Sequence, residues 1–378
     1  MSLKIPPKRV NFIGVQNAHS IACNGYTQLP VRTGYESVVA HRTTDLFAVT
    51  AKKPGKVISM SKEGIVVLYD DGEQKGYELG RRFGKAAGLV IPHTIVTEMK
   101  PDHVFKEGEC ICYNSGFFEK DILNSNNVIL KSGLVVRTAL MESPMTLEDS
   151  SSIAERVSNL LVTKTTKEKN ITLSFDENVH RLVKVGTSVE SEDILCIIED
   201  AVTSVSGLFD EDTLDTLRVL SMRNPRAKMK GVVENIEVFY NGDIEDMSDT
   251  LRAIVNESDR ALNRKSRATN KGSLSGNVDE SYRVDGEPLA VDTIVIKIYI
   301  TGDVATGIGD KIVFCNQMKS VIGKIIPDTI ESESGKHIDA IFSYQSIENR
   351  IVTSPILMGT TATLLDLIGK NAVAAYRS

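Results

Sequence analysis

Two lysines eight residues apart, Lys311 and Lys319, are the residues of this sequence most suited to chemistry. They follow a Gly-x-Gly turn at residues 307–309, and each is adjacent to one apolar residue, Ile312 or Met318. An ammonium group on a preorganised β scaffold binds phosphate well, because it acts as a compact point charge. Two solvated lysines at strand ends give the same pattern, so the spacing alone leaves both interpretations open.

A pair of adjacent acids and one arginine are further candidates. Glu148 and Asp149 stand at the predicted start of a helix, where carboxylates interact favourably with the helix dipole. They could instead support a divalent metal through water, since Mg²⁺ typically keeps several waters. Arg350 lies in a polar break before the apolar pair Ile351-Val352. Its guanidinium could bind two phosphate oxygens at once, or it could form a surface salt bridge.

Three basic clusters also stand out, at residues 81–85, 223–230 and 264–271. Each could contact the phosphate backbone of a nucleic acid. Each could equally be a solvated face of the protein. The net charge of -6 shows that the chain is not basic overall, so any nucleic-acid role must be local or shared with partner chains.

Composition is that of an ordinary globular protein, with 41% hydrophobic and 25% charged residues over a length that favours two or three domains. No apolar run is long enough to predict a membrane span, and residues 1–9 lack the apolar core of a signal peptide. The five cysteines are odd in number and scattered, which suits reduced thiols. No pairs of Cys or His at ligand spacing predict a structural metal.

Strand-like runs dominate the sequence. Residues 56–69, 127–140, 231–240 and 290–300 alternate or run apolar between turn-forming residues. Asp70-Asp71-Gly72 predicts a hairpin turn. The chain is therefore expected to be mainly β (α+β), in small barrel-like or sandwich units.

Three helices are predicted. The first begins at Thr146 and carries an apolar stripe as far as Leu161. A second, short helix covers residues 214–220. The third is the most amphipathic, with apolar residues on one face between Met247 and Leu262 and a basic end at residues 264–267.

The order of these motifs resembles the β subunit of bacterial-type multi-subunit RNA polymerases, and the resemblance is colinear over residues 15–365. Gly309-Asp-Lys311, with Lys319 after it, matches the Gly-Asp-Lys motif of the family and its second lysine at the same separation. The other segments that are similar to family motifs are Pro30-Val-Arg-Thr-Gly-Tyr-Glu36, Lys52-Lys-Pro-Gly-Lys-Val57, Leu134-Val-Val-Arg-Thr-Ala-Leu-Met141, Leu147-Glu-Asp-Ser150, Ile153-Ala-Glu-Arg-Val157, Val321-Ile-Gly-Lys-Ile325, Asp339-Ala-Ile-Phe342 and Asn349-Arg350.

The resemblance implies a double-psi β-barrel that is assembled from two chain segments. The expected first part is 51–152 and the expected second part, with the active-centre lysines, is 291–360. A wall or flap insertion would occupy 153–290. Residues 1–50 would form a fork-like lead-in, and 361–378 would form a C-terminal tail or helix.

The resemblance also implies an activity, DNA-directed RNA synthesis, in which this chain is active only within a multi-subunit complex. Lys311 and Lys319 would lie beside the RNA 3′ end and the phosphates of the incoming nucleotide. Arg350 would contact the triphosphate, and Arg9 is an offset counterpart of a further nucleotide-contacting arginine. Glu148 and Asp149 would approach the second Mg²⁺ through water. The first Mg²⁺ would belong to a β′-type partner, whose acidic motif is absent from this sequence.

The sequence departs from the family between the two lysines, where the family's Gly-Arg-His-Gly-Asn is replaced by residues 314–318. A split, shortened subunit of this kind resembles the polymerases of large, nucleus-forming bacteriophages. The expected partners are an N-terminal β-type fragment, β′-type subunits, template DNA, RNA and nucleoside triphosphates, with no membrane. The expected location is the host bacterial cytoplasm, the phage nucleus or the virion. Two alternatives stay open at this point: a non-catalytic β-barrel virion protein and a nucleic-acid-binding module.

Overall fold

The computed structural model describes residues 21–29, 32, 34–42, 45, 48–86, 89–131, 133–144, 146–199, 223–315, 318–349 and 353–378. The protein is mainly β, with 40% strand and 21% helix, as the alternating runs predicted. It divides into two compact units. Unit 1 comprises Met1–Val49, Tyr113–Thr163 and Val304–Ser378, and unit 2 comprises Thr50–Cys112 and Lys164–Asp303. The domain boundaries expected from the family resemblance stay a prediction.

The strands of the described chain are β1 Ala48–Thr50, β2 Gly55–Met60, β3 Gly64–Tyr69, β4 Gln74–Glu78, β5 Gly80–Ala86, β6 Leu89–Val96, β7 Val104–Phe105, β8 Cys110–Asn114, β9 Phe118–Lys120, β10 Val128–Leu130, β11 Thr138–Leu140, β12 Ser150–Ala154, β13 Val162–Ser174, β14 Val179–Leu182, β15 Ser188–Val189, β16 Cys196–Ile198, β17 Gly231–Asn241, β18 Arg283–Val284, β19 Glu287–Pro288, β20 Thr293–Ala305, β21 Lys311–Phe314, β22 Met318–Ile326 and β23 Ala340–Phe342. Its helices are α1 Tyr35–Arg42, α2 Glu155–Leu160, α3 Asp249–Ala268, α4 Tyr344–Asn349 and α5 Ser354–Arg377.

Unit 2 contains most of the larger sheet, in the order β1-β8-β6-β13-β20-β17-β15, with β5 paired to β6. Residues 294–301 of β20 are all buried, and Ile294, Ile296 and Ile298 belong to the main core of this unit. Helix α3 packs Leu251 and Val255 into the same core, so the amphipathic helix predicted here is confirmed. Ser248 caps its start, because its hydroxyl accepts a hydrogen bond from the Leu251 amide.

A second sheet of unit 2 has the order β4-β3-β2-β7. The hairpin turn predicted at residues 70–72 joins β3 to β4. Gly72 has a φ of 88°, which is the left-handed region that glycine enters at little cost. Its amide donates to the Tyr69 carbonyl oxygen at 2.9 Å, and the turn is thereby closed.

Unit 1 contains a five-stranded sheet in the order β11-β23-β12-β22-β21. It interleaves strands from two distant parts of the sequence. The pairs β11–β23 and β12–β22 are parallel, and β12 also pairs with β23 in the antiparallel sense. Ile153, Phe314, Met318, Ile322 and Phe342 form the centre of its core. Within the described residues the sheets do not close into a barrel.

The helix predicted from Thr146 begins only at Glu155, so that prediction was wrong over its first half. Residues 150–154 form β12 instead, with hydrogen-bonded neighbours on both sides. Pairing with strands from elsewhere in the chain outweighs the local helical pattern, which three consecutive serines already weaken. The helix predicted over residues 214–220 lies outside the described residues.

Helix α5 is long and almost entirely solvent-exposed. Its first turn carries Pro355, which suits the start of a helix and is buried. Large apolar side chains such as Leu357, Leu364 and Ile368 are exposed by 64%, 54% and 61%. Nevertheless, in the described part of the chain no helix combines the length and the hydropathy that crossing a membrane requires.

Candidate phosphate-binding site

The hairpin of β21 and β22 places the two predicted lysines on one face. Lys311 is opposite Val321, and Val313 is opposite Lys319. Cross-strand partners and alternate residues of a strand share a face of the sheet. Lys311 and Lys319 are therefore diagonal neighbours, at a typical separation of about 7–8 Å between backbones. Both side chains are exposed.

The opposite face of this hairpin belongs to the core of unit 1. Phe314 and Met318 are 9% and 3% exposed, and the side chain of Ser320 is buried as well. The Ser320 hydroxyl donates to the Ser151 hydroxyl at 2.7 Å, which ties β22 to β12. Core packing on the opposite face of the hairpin therefore holds the backbone that carries the two lysines in place. This arrangement suits a cation that must meet a ligand at a defined place.

Strand β12 brings the acidic pair to the same part of the sheet. Val321, the partner of Lys311, is also the parallel partner of Ser150. The Val321 amide donates to the Asp149 carbonyl oxygen at 2.9 Å. Lys311, Val321 and Ser150 therefore form one row across three adjacent strands, about 10 Å from end to end. Strand pairing alone unites residues that are far apart in sequence.

Glu148 has a φ of 54°, in the left-handed region that side chains other than glycine rarely adopt. Such a conformation costs on the order of 1 kcal/mol or more, and it persists only where the surroundings impose it. Two contacts impose it here. The Ser346 hydroxyl donates to the Glu148 carbonyl oxygen, and the next carbonyl, that of Asp149, is bound by β22.

Both acidic side chains are exposed. They do not lie at a helix N-terminus, because the nearest helix begins at Glu155. The interpretation of Glu148 and Asp149 as partners of a helix dipole therefore loses its structural basis.

Glu142 positions the contact that holds Glu148, and nothing in the sequence singled it out. Its Oε1 accepts hydrogen bonds from the Ser343 hydroxyl at 2.8 Å and from the Gln345 amide at 3.0 Å. The Ser346 amide in turn donates to the Ser343 hydroxyl. The hydrogen bond from the Gln345 amide, followed by that from Ser343, lowers the pKa of Glu142. Glu142 thereby fixes the first turn of α4, which carries Ser346.

Two predicted site residues, Arg9 and Arg350, lie outside the described residues. Each of the three basic clusters has a member in an ion pair. Arg81 bonds Glu234 at 2.8 Å, and Lys230 bonds Glu190 at 2.7 Å. In the described part of the chain these clusters are therefore at least partly neutralised. In the third cluster Lys271 bonds Glu78 at 2.8 Å, whereas Arg264 and Arg267 on α3 form no ion pair among the described residues.

The described residues contain no group of three or more His, Cys, Asp or Glu side chains that could hold a metal ion. Glu148 and Asp149 offer carboxylate oxygens, which are the donors that Mg²⁺ prefers. Two exposed acids supply only part of a coordination shell. The pair can therefore contact an ion directly or through its waters, but it does not form a complete metal site by itself.

No protein family model matches the sequence, and no curated protein matches it significantly. The chemistry that the arrangement allows is accordingly defined by its own residues. Two ammonium groups on a rigid sheet, beside two carboxylates, can bind and orient a polyphosphate and a hydrated divalent cation together.

Proposed function

We propose that this chain is the C-terminal part of a split β-type subunit of a multi-subunit DNA-dependent RNA polymerase, of the kind found in large, nucleus-forming bacteriophages. The observation that supports the proposal is the row formed by Lys311, Val321 and Ser150, with Lys319 and Asp149 beside it. Of these residues, Lys311, Lys319 and Asp149 are ones that the family resemblance assigns to the active centre. Strand pairing brings them together although they are distant in sequence.

The proposal includes the fold. We assign the interleaved sheet β11-β23-β12-β22-β21 to a double-psi β-barrel built from two chain segments with an insertion between them. Parallel pairing of a strand before the insertion with a strand after it, as in β12 and β22, supports this assignment. The expected wall or flap at 153–290 stays part of the proposal.

In the proposed reaction the RNA 3′-hydroxyl attacks the α-phosphate of a nucleoside triphosphate, and pyrophosphate leaves. Lys311 and Lys319 would neutralise negative charge on the phosphates and align the triphosphate beside the RNA end. Their contribution is positioning and electrostatic stabilisation, which the rigid backbone of the hairpin favours. Arg350 and Arg9 would add contacts to the triphosphate.

A β′-type partner chain would hold Mg²⁺, which when bound stabilises charge on the attacking and leaving oxygens. Glu148 and Asp149 would orient waters of the second metal. The chain would require an N-terminal β-type fragment and β′-type subunits, and it would work on template DNA and RNA in the host cytoplasm, in the phage nucleus or from the virion. On its own it should not synthesise RNA.

Single-nucleotide addition on a preformed RNA–DNA scaffold tests the proposal, with the assembled complex carrying Lys311→Ala or Lys319→Ala. Each variant should slow addition by on the order of 100-fold or more, since one lost donor in a comparable oxyanion site costs about 2.7–4 kcal/mol. Lys336→Ala is the matched control, because Lys336 is an exposed lysine of the same unit away from the site. Rates equal to the parental rate in both variants would show that the lysines are ordinary surface residues.

The chains that co-purify with the native protein provide the second test. A polymerase subunit should bring an N-terminal β-type fragment and β′-type chains. Recovery of this chain only within a virion shell, without such partners, would favour the structural alternative. Recovery with nucleic acid but without polymerase chains would favour a nucleic-acid-binding module.

A further inference from the structure

Helix α3 in unit 2 carries a line of arginines on one face. Arg260, Arg264 and Arg267 follow the i, i+4, i+7 spacing that aligns side chains along a helix. All three are exposed. Residues 260–271 include five cations and no acid. The helix therefore presents a continuous positive surface, which we call the arginine face, in a chain whose net charge is -6.

The packing of α3 fixes the direction of this face. Leu251, Val255 and Ser266 are buried on the other side of the helix. At about 100° per residue, Arg260 and Arg267 lie within about 20° of each other and roughly opposite Leu251. The arginine face is consequently held toward solvent by the core of unit 2.

Two acids lie near the face, and neither pairs with it: Glu257, one turn before Arg260 on α3, forms no ion pair among the described residues, and Glu78 is engaged elsewhere. Glu78 is bound by Lys271 at 2.8 Å and by Arg82 at 3.3 Å, so this carboxylate already has two cations. The hydrogen bond from Lys271 is the main cause that lowers the pKa of Glu78, and Arg82 and Lys265 add to it. Within the part of the chain that the structure describes, Arg260, Arg264 and Arg267 form no ion pair.

Interaction with the helix dipole explains only some of the cations at the end of α3. Cations in the last turn of a helix interact favourably with the negative end of its dipole, and Lys265 and Arg267 fulfil that role. The dipole effect falls off within one turn, whereas Arg260 lies two turns before the end of α3. Three guanidinium groups in line over about 10 Å exceed what the helix end requires.

We propose that the arginine face of α3 binds the phosphodiester backbone of a nucleic acid. A guanidinium binds phosphate oxygens through two parallel hydrogen bonds and is always charged, so three in line fit a linear polyanion. The inference goes beyond the proposed function and does not depend on it, because Lys311 and Lys319 belong to unit 1.

The test measures binding of the full chain to a labelled single-stranded RNA and to a DNA duplex by fluorescence anisotropy, between about 50 and 200 mM salt. The triple variant Arg260→Gln, Arg264→Gln and Arg267→Gln should raise Kd by on the order of 10- to 100-fold. It should also flatten the plot of log K against log salt by about 2, since each lost contact contributes roughly 0.7 for single strands and 0.9 for duplexes. The size of the change for each nucleic acid identifies which one the face prefers.

The matched control is Lys100→Gln, Lys106→Gln and Lys184→Gln, which removes the same charge from exposed, scattered lysines of unit 2. It should change Kd by less than about threefold and leave the salt slope unchanged. Arg260→Lys with Arg264→Lys and Arg267→Lys retains the charge but not the paired hydrogen bonds, so it should keep the salt slope and lose part of the affinity. Thermal melting verifies that each variant is folded.

Three outcomes would overturn the proposal. One is the absence of nucleic-acid binding by the parental chain at low salt. Another is an equal rise in Kd in the Arg→Gln triple variant and in the control variant at Lys100, Lys106 and Lys184, which would indicate a general charge effect. The last is competition by poly-glutamate as effective as that by RNA, which would indicate a surface for acidic protein segments. A normal rate of nucleotide addition by the lysine variants of unit 1 would have no bearing on it.

Discussion

Arg156 and Asp339, which are 183 residues apart, form an ion pair in which Arg156 Nε lies 2.7 Å and Nη2 lies 2.6 Å from Asp339 Oδ1. The second carboxylate oxygen accepts from the Arg137 amide at 2.6 Å. The Asp339 carbonyl oxygen accepts from the Ala154 amide. Asp339 therefore joins the end of β12 and the start of α2 to the chain that enters β23.

Arg156→Ala should lower the free energy of unfolding of unit 1 by about 2 kcal/mol, because the partly buried carboxylate of Asp339 loses a charge-assisted partner. Arg156→Lys should recover only part of this loss, since an ammonium group cannot reproduce the fork. Urea denaturation of the full chain measures both. Lys370→Ala, which removes an exposed pair with Asp366, is the control and should change stability by less than about 0.5 kcal/mol. Equal effects of Arg156→Ala and Lys370→Ala would contradict a structural role for the pair.

The loss of protein stability at low pH should depend in part on Glu142. Hydrogen bonds from the Gln345 amide and the Ser343 hydroxyl lower the pKa of Glu142 in the folded state. A group of this kind stabilises the fold above its unfolded pKa, and the stabilisation is lost as pH falls through the lowered pKa. Glu142→Gln should therefore reduce the melting temperature at neutral pH and make it less sensitive to pH below about 5. If the melting temperatures of the parental chain and of the variant fell equally with pH across this range, the assignment would be refuted.

The acidic pair should act through metal and not through template binding. In the assembled complex, joint replacement Glu148→Ala and Asp149→Ala should raise the Mg²⁺ concentration needed for half-maximal elongation severalfold. Exposed acids that orient metal-bound waters lose only an indirect contact, so a modest shift is expected. Affinity for the RNA–DNA scaffold should change little. Glu155→Ala, an acid at the true start of α2, provides the control. An unchanged Mg²⁺ requirement would remove Glu148 and Asp149 from the proposed site.

Arg350 should differ from the two lysines in its kinetic signature. A contact to the triphosphate is made in the ground state and in the transition state alike. Arg350→Ala should therefore raise the KM for the nucleotide by about tenfold with a smaller effect on kcat, whereas Lys311→Ala should lower kcat. Nucleotide titrations of single-nucleotide addition separate the two effects. A loss of kcat without any change in KM in Arg350→Ala would place that side chain elsewhere in the reaction.

Local sequence patterns were sufficient for some elements and not for others. Alternating or continuous apolar runs predicted β17 and β20, and an apolar stripe predicted α3, because the buried residues of each element lie within its own sequence. β12 was missed, since its identity as a strand comes from pairing with β22 and β23. No pattern within residues 146–161 reports such distant partners.

In the candidate site, too, some features follow from the local sequence and others depend on distant partners. The shared face of Lys311 and Lys319 follows from strand alternation once the hairpin is known. The proximity of Asp149 follows only from the parallel register of β12 and β22, which local residues do not encode. Glu142 has no sequence signal, because its role depends on α4, which begins about two hundred residues later.

The interleaved sheet of unit 1 also has a consequence during synthesis. β12 leaves the ribosome with Ile153 and Ala154, which are buried in the finished protein, and both of its neighbours, β22 and β23, are translated only after residue 317. At about 5–20 residues per second, this strand waits roughly 10–40 s before both of its neighbours have been synthesised. We therefore expect the yield of correctly folded unit 1 to depend on protection of the nascent chain during this interval, for example by a chaperone. The final stability of the unit should affect this yield less.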